Sequence, residues 1–170
     1  MTMSVWKRIS NLFAKPEPPK AEKSMLHLNP GDICEVSLVT YEVVGRVHNR
    51  ARNAVVLTLQ DGNQVSYLHI EERETLQFGL YQPIDGRLDN PEEVPTILEL
   101  DDITYHLEEQ YFGHVTVMGR APFRQGGEQH VWQYQSDDYH LLRVEWQDGR
   151  FMLYEGEEVI TGDVKVIRAS

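Results

Sequence analysis

The sequence predicts an all-β fold: two similar small antiparallel β units, barrel- or sandwich-like, packed together behind a short amphipathic N-terminal helix. Three observations carry this. Stretches rich in β-branched and aromatic residues recur about every eight to twelve positions, with polar turns between them. Two signatures each occur twice: "VVGR" (Val43–Arg46) returns as "VMGR" (Val117–Arg120), and "FGLY" (Phe78–Tyr81) as "FMLY" (Phe151–Tyr154). The spacing repeats as well, with 33 positions from Gly45 to Phe78 and 32 from Gly119 to Phe151.

The elements follow in order. Residues 1–15 predict the helix: Ser4 is a ready N-cap, Val5, Trp6, Ile9, Leu12 and Phe13 share one face, and Pro16 ends it. Residues 16–25, with "KPEPPKAEK", read as a Pro- and charge-rich linker. The first β unit spans 26–84. It runs from the Gly31-Asp32 turn through "TYEVVGRVH" and "NAVVLTLQ", turns at "DGN", and closes with "QVSYLHI" and "TLQFGLYQPI". Residues 85–95 hold Gly86, Pro91 and Pro95 and mark a connection. The second unit, 96–170, repeats the plan, with "RQGGEQ", "SDD" and "DG" as turns. Aligning the two Gly-Arg pairs sets "YLHIE" against "LLRVE", so Glu145 is the counterpart of Glu71. Gly45 and Gly119 each follow two apolar strand residues, where glycine permits a bulge or sharp coiling. A unit of about 60 residues is marginal alone, so the two are expected to share an interface.

Composition narrows the function. The 170 residues carry a formal charge of −11 and a pI near 5.0, which argues against a general nucleic-acid binder. Through Ser24, however, five basic residues face two acidic ones, so a basic head precedes an acidic body. Cys34 is the only cysteine, which excludes an intramolecular disulfide and points to a reducing compartment. No apolar run approaches the roughly 20 residues of a spanning helix. The N-terminus lacks the continuous apolar region of a secretory signal. The cytoplasm is the expected location, with attachment to the inner face of the cell membrane as an option.

One resemblance is more specific. Tyr105, Asp137, Leu142, Val144, Glu145, Trp146, Tyr154 and Gly156, with the opening "PGD" and the "YEVVGR" strand, give a pattern similar to the bacterial family catalogued as domain of unknown function 4178. The resemblance covers about Leu28 to Val159. The two tryptophans that the family usually places in "NAVVLTLQDGNQVSYLHIE" are absent here. It implies no established activity. It does imply company: relatives resemble companions of phage-shock-type membrane-stress proteins, small membrane proteins and polyamine-biosynthesis-like enzymes.

A search for chemistry finds no catalytic motif, cofactor motif or metal-ligand spacing. His106, Glu109 and His114 are more simply solvent-facing strand residues than metal ligands. Cys34, in the apolar "ICEV", reads as a small buried hydrophobe. The adjacent carboxylate doublets point to opposite faces of their strands and read as solvated edges. Glu145 stands out between Val144 and Trp146. It is expected to pair with Arg143, Arg120 or Arg46, or else to face a ligand, with Glu71 playing the equivalent part in the first unit.

The expected protein is therefore a non-enzymatic adaptor or scaffold without a cofactor, and the resemblance implies a bacterial membrane-stress-type system as its setting. Val5, Trp6, Ile9, Leu12 and Phe13, with Lys7 and Arg8 beside them, have the composition of an interfacial helix. That helix would dock on an anionic membrane surface, on a partner protein, or on the chain's own body, and a homo-oligomer is a further option. The rival expectation is an acidic β domain that binds a cationic small molecule such as a polyamine, using Glu71, Glu145 and nearby tyrosines.

Overall fold

A computed structural model describes residues 23–170. The predicted N-terminal helix, with Val5, Trp6, Lys7, Arg8, Ile9, Leu12 and Phe13, lies outside the described residues. Within them the fold is all-β, and the helical elements are 3-10 turns at Met25–His27, Pro91–Glu93 and Thr161–Asp163. No helix among the described residues is long and apolar enough to cross a membrane.

Eleven strands form one antiparallel sheet. In the first half they are β1 (Ile33–Val36), β2 (Val39–Asn49), β3 (Ala54–Asp61), β4 (Gln64–Glu72) and β5 (Leu76–Ile84). The second half supplies β6 (Ile97–Leu100), β7 (Ile103–Gly119), β8 (Gly127–Ser136), β9 (His140–Gln147) and β10 (Arg150–Val159). A last strand, β11 (Val164–Arg168), returns to pair with β1. The order is β11-β1-β2-β3-β4-β5-β10-β9-β8-β7-β6, and β2 also pairs with β7. All strands thus belong to a single hydrogen-bonded sheet, and the stretch from β2 round to β7 closes on itself as a ring of eight.

Turn chemistry sets the hairpins. Two-residue turns with both residues at positive φ join β1 to β2 (Ser37, Leu38), β6 to β7 (Asp101, Asp102) and β9 to β10 (Asp148, Gly149). Asp and Gly tolerate that conformation. A leucine does not do so readily.

Two bulges redirect the long strands. In β2 the register shifts between Val43 and Gly45, and in β7 between Leu107 and Glu109. Before its bulge each strand pairs with its own short neighbour, β1 or β6. Beyond the bulge the inward face changes, and Gly45–Asn49 pair with Val115–Gly119. The repeated "FGLY" and "FMLY" strands make the other junction, where Phe78 lies opposite Val159 and Tyr81 opposite Gly156. Both repeated signatures therefore sit at the two seams joining the halves.

Two apolar cores lie on the face of the sheet turned away from the ring's interior. The first contains Leu28, Cys34, Val36, Val43, Leu57, Leu68 and Ile70, all with no exposure. Met25 and Leu26, from the 3-10 turn beside the linker stretch, are buried in it. The second contains Tyr105, Trp132, Tyr134, Leu142, Val144 and Leu153, covered by Leu88, Val94 and Leu98. Asp32 of the "PGD" opening fastens the first core: its carboxylate accepts from the Asn29 amide at 2.8 Å, the Ser170 amide at 3.1 Å and Lys23 at 3.4 Å. Those bonds tie the start of the described chain to its end.

Candidate functional site

The interior of the ring is polar. Strand alternation puts Thr58, Tyr67, His69, Glu71 and Tyr81 of the first half on the same side as Tyr111, Gln129, Gln133, Arg143, Glu145 and Tyr154 of the second. Contacts between strands that are not neighbours show these side chains meeting across the lumen. Gln133 Nε2 donates to the Tyr81 hydroxyl at 2.9 Å, and Arg143 Nη1 to the Tyr111 hydroxyl at 3.1 Å. The Tyr67 and Tyr154 rings meet edge-on at 5.3 Å.

Glu145 pairs with Arg143, the residue two positions before it: Arg143 Nε donates to Glu145 Oε2 at 2.8 Å, with both side chains 6% exposed. Burial alone would lower the Arg143 pKa, but the Tyr111 oxygen and the Glu145 carboxylate outweigh it, so the guanidinium stays charged. The other two candidates for Glu145 lie elsewhere. Arg46 alternates with Gly45 and Val47, which face inward, so its own side chain points out and bonds the Leu28 carbonyl at 3.1 Å. Arg120 follows Gly119 at the end of β7 and bonds Gln60 on the exposed surface.

At one mouth of the lumen four charges form a square. Arg52 Nε donates to Glu71 Oε1 at 2.9 Å and its Nη2 to Glu109 Oε1 at 2.6 Å. Arg73 Nε donates to Glu71 Oε2 at 2.8 Å and its Nη2 to Glu109 Oε2 at 3.1 Å. The Arg52 guanidinium also lies 3.7 Å from the Tyr111 ring centroid. The square clamps the first half, through Arg52, Glu71 and Arg73, to β7 of the second. Glu71 and Glu145 are equivalent here too, since each is buried and each is held by an arginine two positions along its own chain.

Beside the square opens a cavity of about 320 Å³, lined among others by His69, Glu71, Arg73, Tyr81, Gln133 and Glu158. Desolvation, then the charges of Arg143, Arg52 and Arg73, hold the His69 pKa well below its usual 6.5, so His69 is neutral. Burial pushes the Tyr81 phenol up to about 12. Burial, then the nearby Glu145 carboxylate, raises Tyr154 far above its ordinary range. Thr58 Oγ1, His69 Nε2 and the Tyr154 hydroxyl are enclosed without a well-formed hydrogen bond among the described residues.

Among the described residues no three His, Cys, Asp or Glu side chains are grouped to hold a metal ion. His106 and His114 stand eight residues apart on β7, a separation of about 26 Å at the usual strand rise of about 3.3 Å. Burial pushes the Cys34 thiol up to about 12, so it is no nucleophile at neutral pH.

Of the residues singled out in the sequence, Glu71 and Glu145 share the lumen, while Arg46 and Arg120 do not. Arg52, Arg73, Tyr111, His69 and Gln133 were not picked out by sequence reasoning. Arg73 lies in the bend just after β4, two positions from Glu71, where strand alternation no longer fixes the face of a side chain. Arg52 lies in a turn, so neither had a readable signal.

The residues that carried the family resemblance are mostly structural. Tyr105, Leu142 and Val144 build the second core, and Trp146 packs against it. Glu145 and Tyr154 face the lumen, and Gly156 lies beneath the Tyr81 ring. No curated protein and no solved structure matches the chain. The model of the family described as Domain of unknown function (DUF4178) matches residues 29–161, most of the chain. The chain belongs to the DUF4178 family.

Proposed function

We propose that the protein is a non-enzymatic adaptor: a β body that carries a basic amphipathic segment, Val5, Trp6, Lys7, Arg8, Ile9, Leu12 and Phe13, which docks on an anionic membrane surface or a partner protein. The observation that supports this reading is the internal pairing of the lumen charges. Glu71, Glu109, Arg52 and Arg73 neutralise one another, and Glu145 faces Arg143. General acid–base work needs carboxylates held in contrasting environments that face one cleft. Glu71 and Glu109 instead clamp the two halves of the sheet together, and Glu145 is paired within its own strand. The basic segment in front of an acidic body is then the chemically distinctive feature of the chain. Each Lys or Arg near an anionic surface contributes about 1 kcal/mol, and a short apolar face adds to it. Fractionation of cells expressing the full chain tests this. The protein should leave the membrane or partner fraction when Lys7→Glu and Arg8→Glu are combined, and an unchanged distribution would contradict the reading.

A second reading, a body that binds a cationic small molecule such as a polyamine, is favoured by the 320 Å³ cavity with Glu71, Glu158 and the Tyr81 ring on its walls. It is the weaker of the two, because Glu71 already carries two guanidinium partners. A thermal shift with spermidine that disappears in Glu158→Gln would support it.

A further inference from the structure

A second concavity lies on the outer face of the β5–β10 seam, between the two apolar cores. It encloses about 560 Å³. Leu80, Ile84, Ile103 and Val159 are its apolar lining, with Glu155 and Glu157 beside them. Glu158 is its third carboxylate, and neither Lys nor Arg lines it. The groove is thus apolar and acidic at once, the complement of a segment that is apolar and basic.

Its rim carries large side chains that the fold itself does not account for. Leu38, next to the lining residue Ser37, is 89% exposed and sits at φ 69. Tyr139, next to the lining residue His140, is 73% exposed and sits at φ 66. Ile160, next to Val159, is 66% exposed. A left-handed backbone costs an ordinary residue about 1–2 kcal/mol, which Gly avoids and Asn reduces. The equivalent turn of the second half uses Asp101 and Asp102. Leucine and tyrosine at such positions gain nothing from burial in the body. Strained, exposed apolar residues framing a groove mark a contact surface.

We propose that this groove is the docking site of the chain's own N-terminal segment, with the apolar face of Val5, Trp6, Ile9, Leu12 and Phe13 against the groove floor and Lys7 and Arg8 against Glu155, Glu157 and Glu158. Charge complementarity selects this occupant. Residues 1–22 hold four basic and two acidic residues, whereas the rest of the chain carries the large acidic excess. Reach allows it. Lys23 is held beside Asp32, one residue before β1, and Ser37 lies one residue after β1, a span of about 17 Å. Nine residues, Ala14 to Glu22, separate Phe13 from Lys23, and a proline-rich stretch of that length can span up to about 28 Å at ~3.1 Å per residue. Docking in the groove and docking on a membrane or partner are then mutually exclusive, and the body acts as a cover for its own targeting segment. The inference rests on residues 5–13 forming a docking segment, and not on a membrane being their target.

The test uses the full chain without lipid. Ser10→Cys carries a nitroxide label, and Cys34, with no exposure, is left unlabelled. The amide signals of Leu38, Ile84, Glu157 and Ile160 should lose at least half their intensity relative to the reduced label. Adding Leu38→Asn and Tyr139→Asn, which suit the left-handed turns, should restore most of it in a chain that stays folded. Uniform intensities, or broadening that the Asn pair leaves unchanged, would overturn the proposal. Broadening that appears between labelled and isotope-enriched unlabelled molecules would overturn it in favour of a second copy. Failure of the membrane reading would show separately, as an absence of vesicle binding with the broadening intact.

Discussion

Gly45 and Gly119 lie opposite each other where β2 meets β7, with main chains so close that neither position has room for a side chain. A Cβ on Gly45 would overlap the Arg120 carbonyl, and one on Gly119 would overlap the Val44 carbonyl and come within 3.1 Å of the Gly45 Cα. Gly119 also holds φ 68, and the Arg120 amide bonds the Val44 carbonyl at 2.8 Å. This contact closes the eight-strand ring. Gly45→Ala should therefore cost about 3 kcal/mol or more, because the obstacle is backbone that cannot swing away. Urea unfolding with an unchanged slope would register it, and a loss under about 1 kcal/mol would mean that the seam is not held as tightly as described.

The Arg143–Glu145 pair should behave as a buried ion pair does. Removing one partner strands the other charge, so Glu145→Leu or Arg143→Met alone should cost about 3–5 kcal/mol. Replacing both with apolar residues should recover most of that loss. A double-mutant cycle checks it; two independent, additive losses would show that the pair is not coupled.

His69 gives the fold a pH dependence with a definite sign. Its pKa in the folded protein is depressed below the ordinary 6.5, so below pH 6.5 the unfolded chain binds a proton that the folded chain refuses. Stability should fall as pH drops below about 6.5, by up to about 1.4 kcal/mol per pH unit, until the folded-state pKa is reached. His69→Gln should flatten that part of the profile relative to wild type. Parallel curves for the two proteins between pH 7 and 5 would rule the assignment out.

Leu38→Asn separates strain from function. Asparagine accommodates the left-handed turn, so in a Trp6→Glu background, where the segment does not dock, Leu38→Asn should add about 0.5–1 kcal/mol of stability, an unusual result for replacing a leucine. Thermal melts would show it. A destabilised variant would mean that Leu38 packs on the body and is not a contact residue held ready at the groove rim.

Much of the fold was readable because strands and turns are local. The Asp-Gly and Asp-Gly-Asn turns, the alternation and the recurring Gly-Arg pairs placed β2 to β5, and the glycine of the first pair indeed marks a bulge. In the second half the bulge sits at Leu107–Glu109, well before Gly119, where no glycine announces it. The ring was harder to foresee. It depends on β2 and β7 pairing across some 70 residues of chain, and local pattern carries no information about such a partner. The same limit explains the site. Glu145 with Arg143 follows from two-residue spacing, whereas Glu109 meets Arg52 and Arg73 only after the ring has closed. Arg46 was a plausible partner by composition, but strand parity beside Gly45 turns it outward.

The proposed function rests on the N-terminal segment and not on the polar lumen. Co-sedimentation of the full chain with anionic vesicles at low salt, beside Trp6→Glu, tests it most directly. Wild type should pellet, Leu38→Asn with Tyr139→Asn should pellet several-fold more by releasing the segment, and Trp6→Glu should stay in solution. Pelleting of Trp6→Glu as strong as that of wild type would contradict that function, whereas pelleting by neither would leave a partner protein as the segment's target.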